Sequence, residues 1–272
     1  MSKLRKAMEK ARETRDRIEG EPSSPPEPVS HSMRADDLPR VRAEEVNPSY
    51  SCTRHLPVKP AALKRHKVFA YFQGHPVADS LKILQTQTLG RLETMGGNTI
   101  MVTSANRGEG KTLTAVNLAV SMSRELNRTV LLVDANLRQS SLMQTLGLKP
   151  QDGLSNYLLK EGEIPDLLVC PDIQKLVILP SGRPLQHSAE LLGSPRMESL
   201  VRELRNRYPE RLVVFDTPSI LSSADALAFS RFVDGILVVV EAEKTKRADL
   251  VRALELLRER PVLGAALNRV RT

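Results

Sequence analysis

The chain has 272 residues, 40 Lys+Arg against 32 Asp+Glu, 40% hydrophobic residues and two cysteines, Cys52 and Cys170. That length allows one or two domains with a sizeable core, while apolar runs such as Ile236–Val240 fall far short of the ~18–20 residues that span a bilayer. A charged N-terminus, two cysteines and five histidines without metal spacing argue against a secretory signal, a disulfide framework and a zinc cluster, and for a cytoplasmic globular protein.

The net charge of +8 is not spread over one folded face, because residues 1–67 hold 15 Lys+Arg and 10 Asp+Glu, against 25 and 22 in the remainder. A near-balanced domain with a basic tail points away from nucleic acid and towards an acidic partner or lipid headgroups for the tail. Residues 1–20 read as a basic amphipathic helix with Leu4, Met8, Ala11 and Ile18 on a narrow stripe. Such a stripe either docks on a partner or belongs to a solvated, partly formed helix. Residues 21–75 read as a proline-rich linker: eight prolines fall between Glu21 and Lys67 with no sustained period, and that composition does not offset its ordering entropy.

Residues 76–272 read as one domain. Asn98–Ser104 is a β-branched run leading into a glycine-rich turn; Thr129–Asp134, Lys175–Pro180, Arg211–Asp216, Gly235–Glu241 and Val262–Asn268 are five further short apolar runs. Continuous apolar runs fit strands buried on both faces. Helical stripes lie between them: Val116, Ala119, Val120 and Ser123; Met197, Leu200, Val201 and Leu204; Leu250, Leu254 and Leu257. The alternation predicts an α/β fold, a doubly wound and mainly parallel sheet with helices on both faces, binding its ligand at the carboxyl ends of the strands.

Residues 104–112 read Ser-Ala-Asn-Arg-Gly-Glu-Gly-Lys-Thr. They match the phosphate-loop pattern G-x-x-x-x-G-K-[S/T], with Ala105 in place of the first glycine. Gly108 and Gly110 supply backbone freedom, so that N–H groups can turn inward around phosphates at a helix mouth. The expected ATP-binding residues are Arg107, Gly108, Glu109, Gly110, Lys111, Thr112 and Leu113, with Lys111 on the β- and γ-phosphates and Thr112 on Mg²⁺. The alternative is a glycine turn beside a surface lysine. Asp134 and Asp216 each end an apolar run and are the candidate acids beside the metal, since a shared cation removes the cost of burying them. Helix capping and turn formation are the other uses of Asp at such positions.

Ser104–Ala119 (SANRGEGKTLTAVNLA), Val130–Arg138 (VLLVDANLR) and Val213–Pro218 (VVFDTP) resemble the three Walker-type motifs of bacterial tyrosine kinases. These BY-kinases are the CpsD/CapB-type autokinases of capsule and exopolysaccharide export, P-loop NTPases related to ParA and MinD. The opening Met1–Ala11 resembles the variety encoded beside exosortase-linked exopolysaccharide genes. Within residues 77–270 the likeness also takes in LPSG from Leu179, SAELLGSPRM from Ser188 and DALA from Asp225. The resemblance implies Mg²⁺ and ATP as cofactors and protein tyrosines as substrates. It makes Lys111, Asp134 and Asp216 catalytic, and Thr112, Asp134 and Asp216 the metal residues. Asp134 would help activate the tyrosine hydroxyl, Asp216 would hold Mg²⁺ through water, and Asn268 matches a base-contacting position in related ATPases. The partners implied are a membrane-bound chain-length regulator, or polysaccharide co-polymerase, and further copies of the chain as a homo-oligomer. The location implied is cytoplasmic and peripheral to the inner membrane.

Three departures stand out. Asn136 occupies the second acid of Asp-x-Asp-x-Arg, removing a charge near the metal. Asp79, Lys82 and Gln85 align with a ring-forming Glu-x-x-Arg-x-x-Arg and lack its guanidinium forks. No tyrosine cluster closes the sequence, whose tyrosines are Tyr50, Tyr71, Tyr157 and Tyr208. These favour a second expectation, an ATP-binding switch or pseudokinase gating a co-polymerase. A ParA/MinD-type positioning ATPase ranks third, because Asn106 stands where those proteins have a second lysine and no amphipathic helix follows Asn268.

Overall fold

Val, Ile and Leu alternate along the central strands because each strand feeds two cores. In the computed structural model, which describes residues 54–270, Ile100, Val102, Val130, Leu132, Leu212, Val214, Leu237 and Val239 enter one core. Met101, Leu131, Val133, Val213, Phe215, Ile236 and Val238 enter the other. The expected N-terminal helix and Tyr50 lie outside the described residues.

The elements run β1 (Arg54–His55), α1 (Pro60–Arg65), α2 (Pro76–Thr94), β2 (Thr99–Ser104), α3 (Lys111–Met122), β3 (Thr129–Asp134), α4 (Leu142–Thr145), α5 (Leu154–Leu158), α6 (Ile164–Leu167) and β4 (Val169–Cys170). They continue through β5 (Leu176–Leu179), α7 (Ser188–Leu192), α8 (Pro195–Asn206), β6 (Arg211–Asp216), α9 (Asp225–Phe229), β7 (Gly235–Glu241), α10 (Arg247–Leu256) and β8 (Val262–Asn268). The strand order is β1-β4-β5-β3-β6-β2-β7-β8. Only the β4–β5 pair is antiparallel among the paired strands described. The doubly wound parallel sheet expected from the sequence is therefore present, extended by the two-residue strands β1 and β4. Among the described residues no helix is long and apolar enough to cross a membrane.

Residues 54–75, assigned by composition to the linker, belong to the fold. Strand β1 pairs with β4, and Leu63, Val68 and Ala70 are buried in the first core. Asn117 of α3 pins this segment: its Oδ1 accepts from the Ala70 N–H at 2.9 Å, and its Nδ2 donates to the Lys67 carbonyl at 3.2 Å. Pro60 and Pro76 sit in the first turns of α1 and α2, where the missing N–H costs nothing. Within this segment Pro60 marks a helix start, as Pro76 does just beyond it.

Met197, Leu200, Val201 and Leu204 are buried as one stripe of α8, which is capped by the Ser194 hydroxyl accepting from the Met197 N–H. The stripe on α10 differs from expectation. Ala253 and Leu257 are buried while Leu254 is 37% exposed, so the helix turns an alanine to the sheet. Gln85 of α2, aligned with an arginine in the resemblance, faces inward. It accepts from the Ser121 hydroxyl at 2.5 Å and donates to Glu125, tying α2 to α3.

Candidate functional site

Strand β2 ends at the middle of the sheet, between β6 and β7, and the chain turns there into α3. Ala105 is fully buried and keeps a negative φ, since it is absent from the left-handed residues. Its carbonyl accepts from the Leu221 N–H at 3.1 Å, so an alanine serves where the pattern has glycine. Gly108 and Gly110 take φ of 85° and 91°, the left-handed region that favours glycine. A side chain on Gly110 would also strike Asn268, whose Nδ2 lies 2.1 Å from the ideal Cβ position. The N–H groups of Arg107, Gly108, Glu109 and Gly110 donate to no backbone acceptor among the described residues. An anion at a helix mouth is the complement of such donors.

The two acids meet. Asp134 and Asp216 end adjacent parallel strands in direct register, and both are fully buried. Burial, with the Asp216 charge behind it, pushes the Asp134 carboxyl up to about 7, while Ser140, the Asn136 backbone and Lys111 pull it back. Burial likewise raises Asp216 to about 6 against the opposing pull of Lys111 and Thr112. Asp134 accepts from the Asn136 N–H at 3.1 Å and from the Ser140 hydroxyl. Asp216 is different. The Thr112 hydroxyl lies close enough to favour its charged form, yet neither carboxylate oxygen has a partner of full hydrogen-bond geometry among the described residues. Two buried oxygens without partners beside a hydroxyl form a hard donor set that fits Mg²⁺, directly or through water.

Asn136 is used elsewhere. Its Nδ2 donates to the Gln139 carbonyl at 2.8 Å, and its Oδ1 faces the Gln139 N–H at 3.4 Å. The amide closes a turn that an aspartate lacks the donor to close. Asn136→Asp is therefore expected to lower stability by about 1 kcal/mol, read as a melting temperature about 2–4 °C lower, without adding a metal ligand. An unchanged melting temperature together with tighter Mg²⁺ binding would contradict this.

The rim joins Arg107, one of the expected ATP-binding residues, to Arg138, Gln139 and Ser188, to which the sequence pattern gave no role. Arg138 donates from Nε to Ser188 at 2.9 Å and lies 3.3 Å from the buried Asp225. Arg107 of the loop donates to Gln139 at 3.1 Å, bridging the phosphate loop to the turn after β3. A cavity of about 160 Å³ opens between them, lined by Lys111, Asn136, Pro218 and Ser219 among others. A second of about 340 Å³ shares Arg107, Arg138 and Gln139 and adds Pro184, Leu185 and Gln186. Leu113 is only partly buried against the first core, so of the expected loop residues it lies on the packing side. Asn268 donates its amide to the Glu109 carbonyl at 3.0 Å.

A family model described as an AAA domain matches residues 97–260, a stretch that contains the loop and both acids. The tyrosine-protein kinase YwqD of Bacillus subtilis (strain 168) is 36% identical over 171 residues, covering 62% of this chain and 71% of that one. The chain belongs to the bacterial tyrosine-protein kinase family. Two further proteins are similar to this chain. The succinoglycan biosynthesis transport protein ExoP of Rhizobium meliloti (strain 1021) is 38% identical over 176 residues, covering 62% of this chain and 22% of ExoP. Among solved structures, the chimerical protein CapA2B2 superposes with a TM-score of 0.70 at 25% identity, covering 81% of this chain and 95% of that one.

Proposed function

We propose that this BY-kinase is a Mg·ATP-dependent protein tyrosine kinase, acting on itself or on a partner, in the making and export of a capsule or exopolysaccharide. The observation that carries the reading is that Lys111, at the start of α3, acts on both Asp134 and Asp216, which end β3 and β6 side by side. The loop N–H groups and Lys111 would bind the β- and γ-phosphates, and Thr112 and Asp216 would hold the metal. Bound Mg²⁺ supplies charge neutralisation on the phosphate oxygens. Asp134 receives the proton of the acceptor hydroxyl, and a carboxylate raised towards neutrality suits a base. The Ser140 hydroxyl and the Asn136 N–H orient that carboxylate. The acceptor would enter at the cavity lined by Lys111 and by Asn136, two residues along the chain from the buried Asp134.

The partner in this reading is a membrane-bound chain-length regulator, which would place the kinase at the cytoplasmic face of the inner membrane. The name of ExoP, a biosynthesis transport protein, supports a link to polysaccharide export. A homo-oligomer belongs to the same reading. One observation favours the alternative of an ATP-binding switch: Tyr71, Tyr157 and Tyr208 line neither cavity. Tyr157 lies under the Arg196 guanidinium at 4.2 Å, and Tyr208 packs against Arg211 at 4.1 Å, just before β6 and thus at the opposite end of the strand from Asp216.

Incubating the purified chain with Mg·ATP and mapping phosphotyrosine by mass spectrometry separates the two. Phosphotyrosine on the chain or on an added acceptor is the expected result. Tight ATP binding with no phosphotyrosine would leave the switch.

A further inference from the structure

We propose that Glu109 is a positioning residue, which sets the curve of the phosphate loop by acting through Thr245 on the distant turn after β7. The inference rests on the nucleotide-binding reading above and goes beyond it. The motif leaves position 109 unspecified, and a carboxylate in a loop that receives a triphosphate would repel its ligand if it faced inward. The Glu109 side chain faces the other way, and the residue is 2% exposed. Its Oε1 accepts from the Thr245 hydroxyl at 2.7 Å, and its Oε2 accepts from the Asn106 N–H at 2.9 Å.

The hydroxyl of Thr245 is engaged twice: its oxygen accepts from the Glu241 N–H at 2.9 Å, and its one proton goes to Glu109. Two further bonds grip the same stretch of loop. Asn106 donates its amide to Asp249 in the first turn of α10 at 2.9 Å, and Asn268 at the end of β8 donates to the Glu109 carbonyl at 3.0 Å. Residues 106–109 are thus held from β7, α10 and β8, on the side away from Asp134. Pulling the glutamate outward is what leaves the loop N–H groups facing the anion, and a loop already bent needs no ordering on binding.

The test uses the full chain, with Mg·ATP and Mg·tripolyphosphate as separate probes in calorimetric titrations. Thr245→Val removes the hydroxyl at nearly constant shape, and Thr245→Ser returns it. Thr245→Val is expected to weaken both probes about tenfold, while Thr245→Ser binds as the native chain does and both variants melt within a few degrees of it. Glu109→Gln is expected to act in the same direction, and the double variant to bind no worse than the weaker single one. Native affinity of Thr245→Val for both probes would overturn the proposal and leave the nucleotide reading standing. A loss confined to Mg·ATP would also overturn it, because the pair would then serve the base. If the native chain binds neither probe, the nucleotide reading falls and takes the proposal with it.

Discussion

Lys111→Met is expected to weaken Mg·ATP binding by about a hundredfold, the loss that follows from deleting a charge-assisted donor to phosphate. The lysine opens α3 at the loop's end and lines the cavity of about 160 Å³. It is also the cation whose charge opposes the upward shifts of both acids. Removing it therefore has a second signature. Asp134 and Asp216 should take up protons at still higher pH in the nucleotide-free variant, because one of the pulls that offset their burial is then gone. Calorimetric titration with Mg·ATP checks the first effect; unchanged affinity would remove the phosphate loop from the account. The phosphotyrosine yield should fall with it.

The acid pair gives the other large effect. Asp134→Asn is expected to reduce tyrosine phosphorylation by about 10²–10⁴-fold, the usual contribution of a positioned base, while nucleotide binding persists. In the metal-free protein the same carboxylates make stability depend on pH, and the sign follows from their raised values. An acid whose folded pKa lies above its unfolded value favours folding while it is protonated. That contribution is complete below about 3.8 and is lost as pH rises through about 6–7. The melting temperature in a chelating buffer should accordingly be higher at pH 5 than at pH 8 through this pair, and Asp216→Asn should flatten the fall and raise stability at pH 8. A melting temperature in that buffer equally pH-dependent in native and Asp216→Asn chains would show that the pair is not the source.

The site was readable where its parts are contiguous in the chain. The loop from Ala105 to Thr112 is one run, and each acid closes an apolar strand, so pattern and strand ends located them together. Four of the six expected strands, Thr129–Asp134, Arg211–Asp216, Gly235–Glu241 and Val262–Asn268, have the same bounds in the structure. Strands β1 and β4 escaped notice because two residues carry no period. Residues 54–75 escaped because proline density upstream was read as disorder, whereas Pro60 starts a helix here and Leu63, Val68 and Ala70 supply core. Partners brought in from far along the chain left no local trace. Thr245 is 136 residues from Glu109, and Ser188 is 50 from Arg138. Asn136 was seen as a lost charge, since a sequence shows the missing oxygen but not the turn its amide closes.

The Asn117 contacts have a practical consequence for anyone dividing the chain. A fragment beginning at residue 76, where composition puts the domain boundary, would leave behind Leu63, Val68 and Ala70. It would also deprive the Asn117 amide of both the Ala70 and Lys67 partners it meets outside its own helix. The helix stripped in this way is the one whose first two residues are Lys111 and Thr112. Such a truncation would bare an oily flank and free a buried amide on the helix that Lys111 opens, so weak nucleotide binding in it would reflect a missing cover rather than a defect in the candidate site.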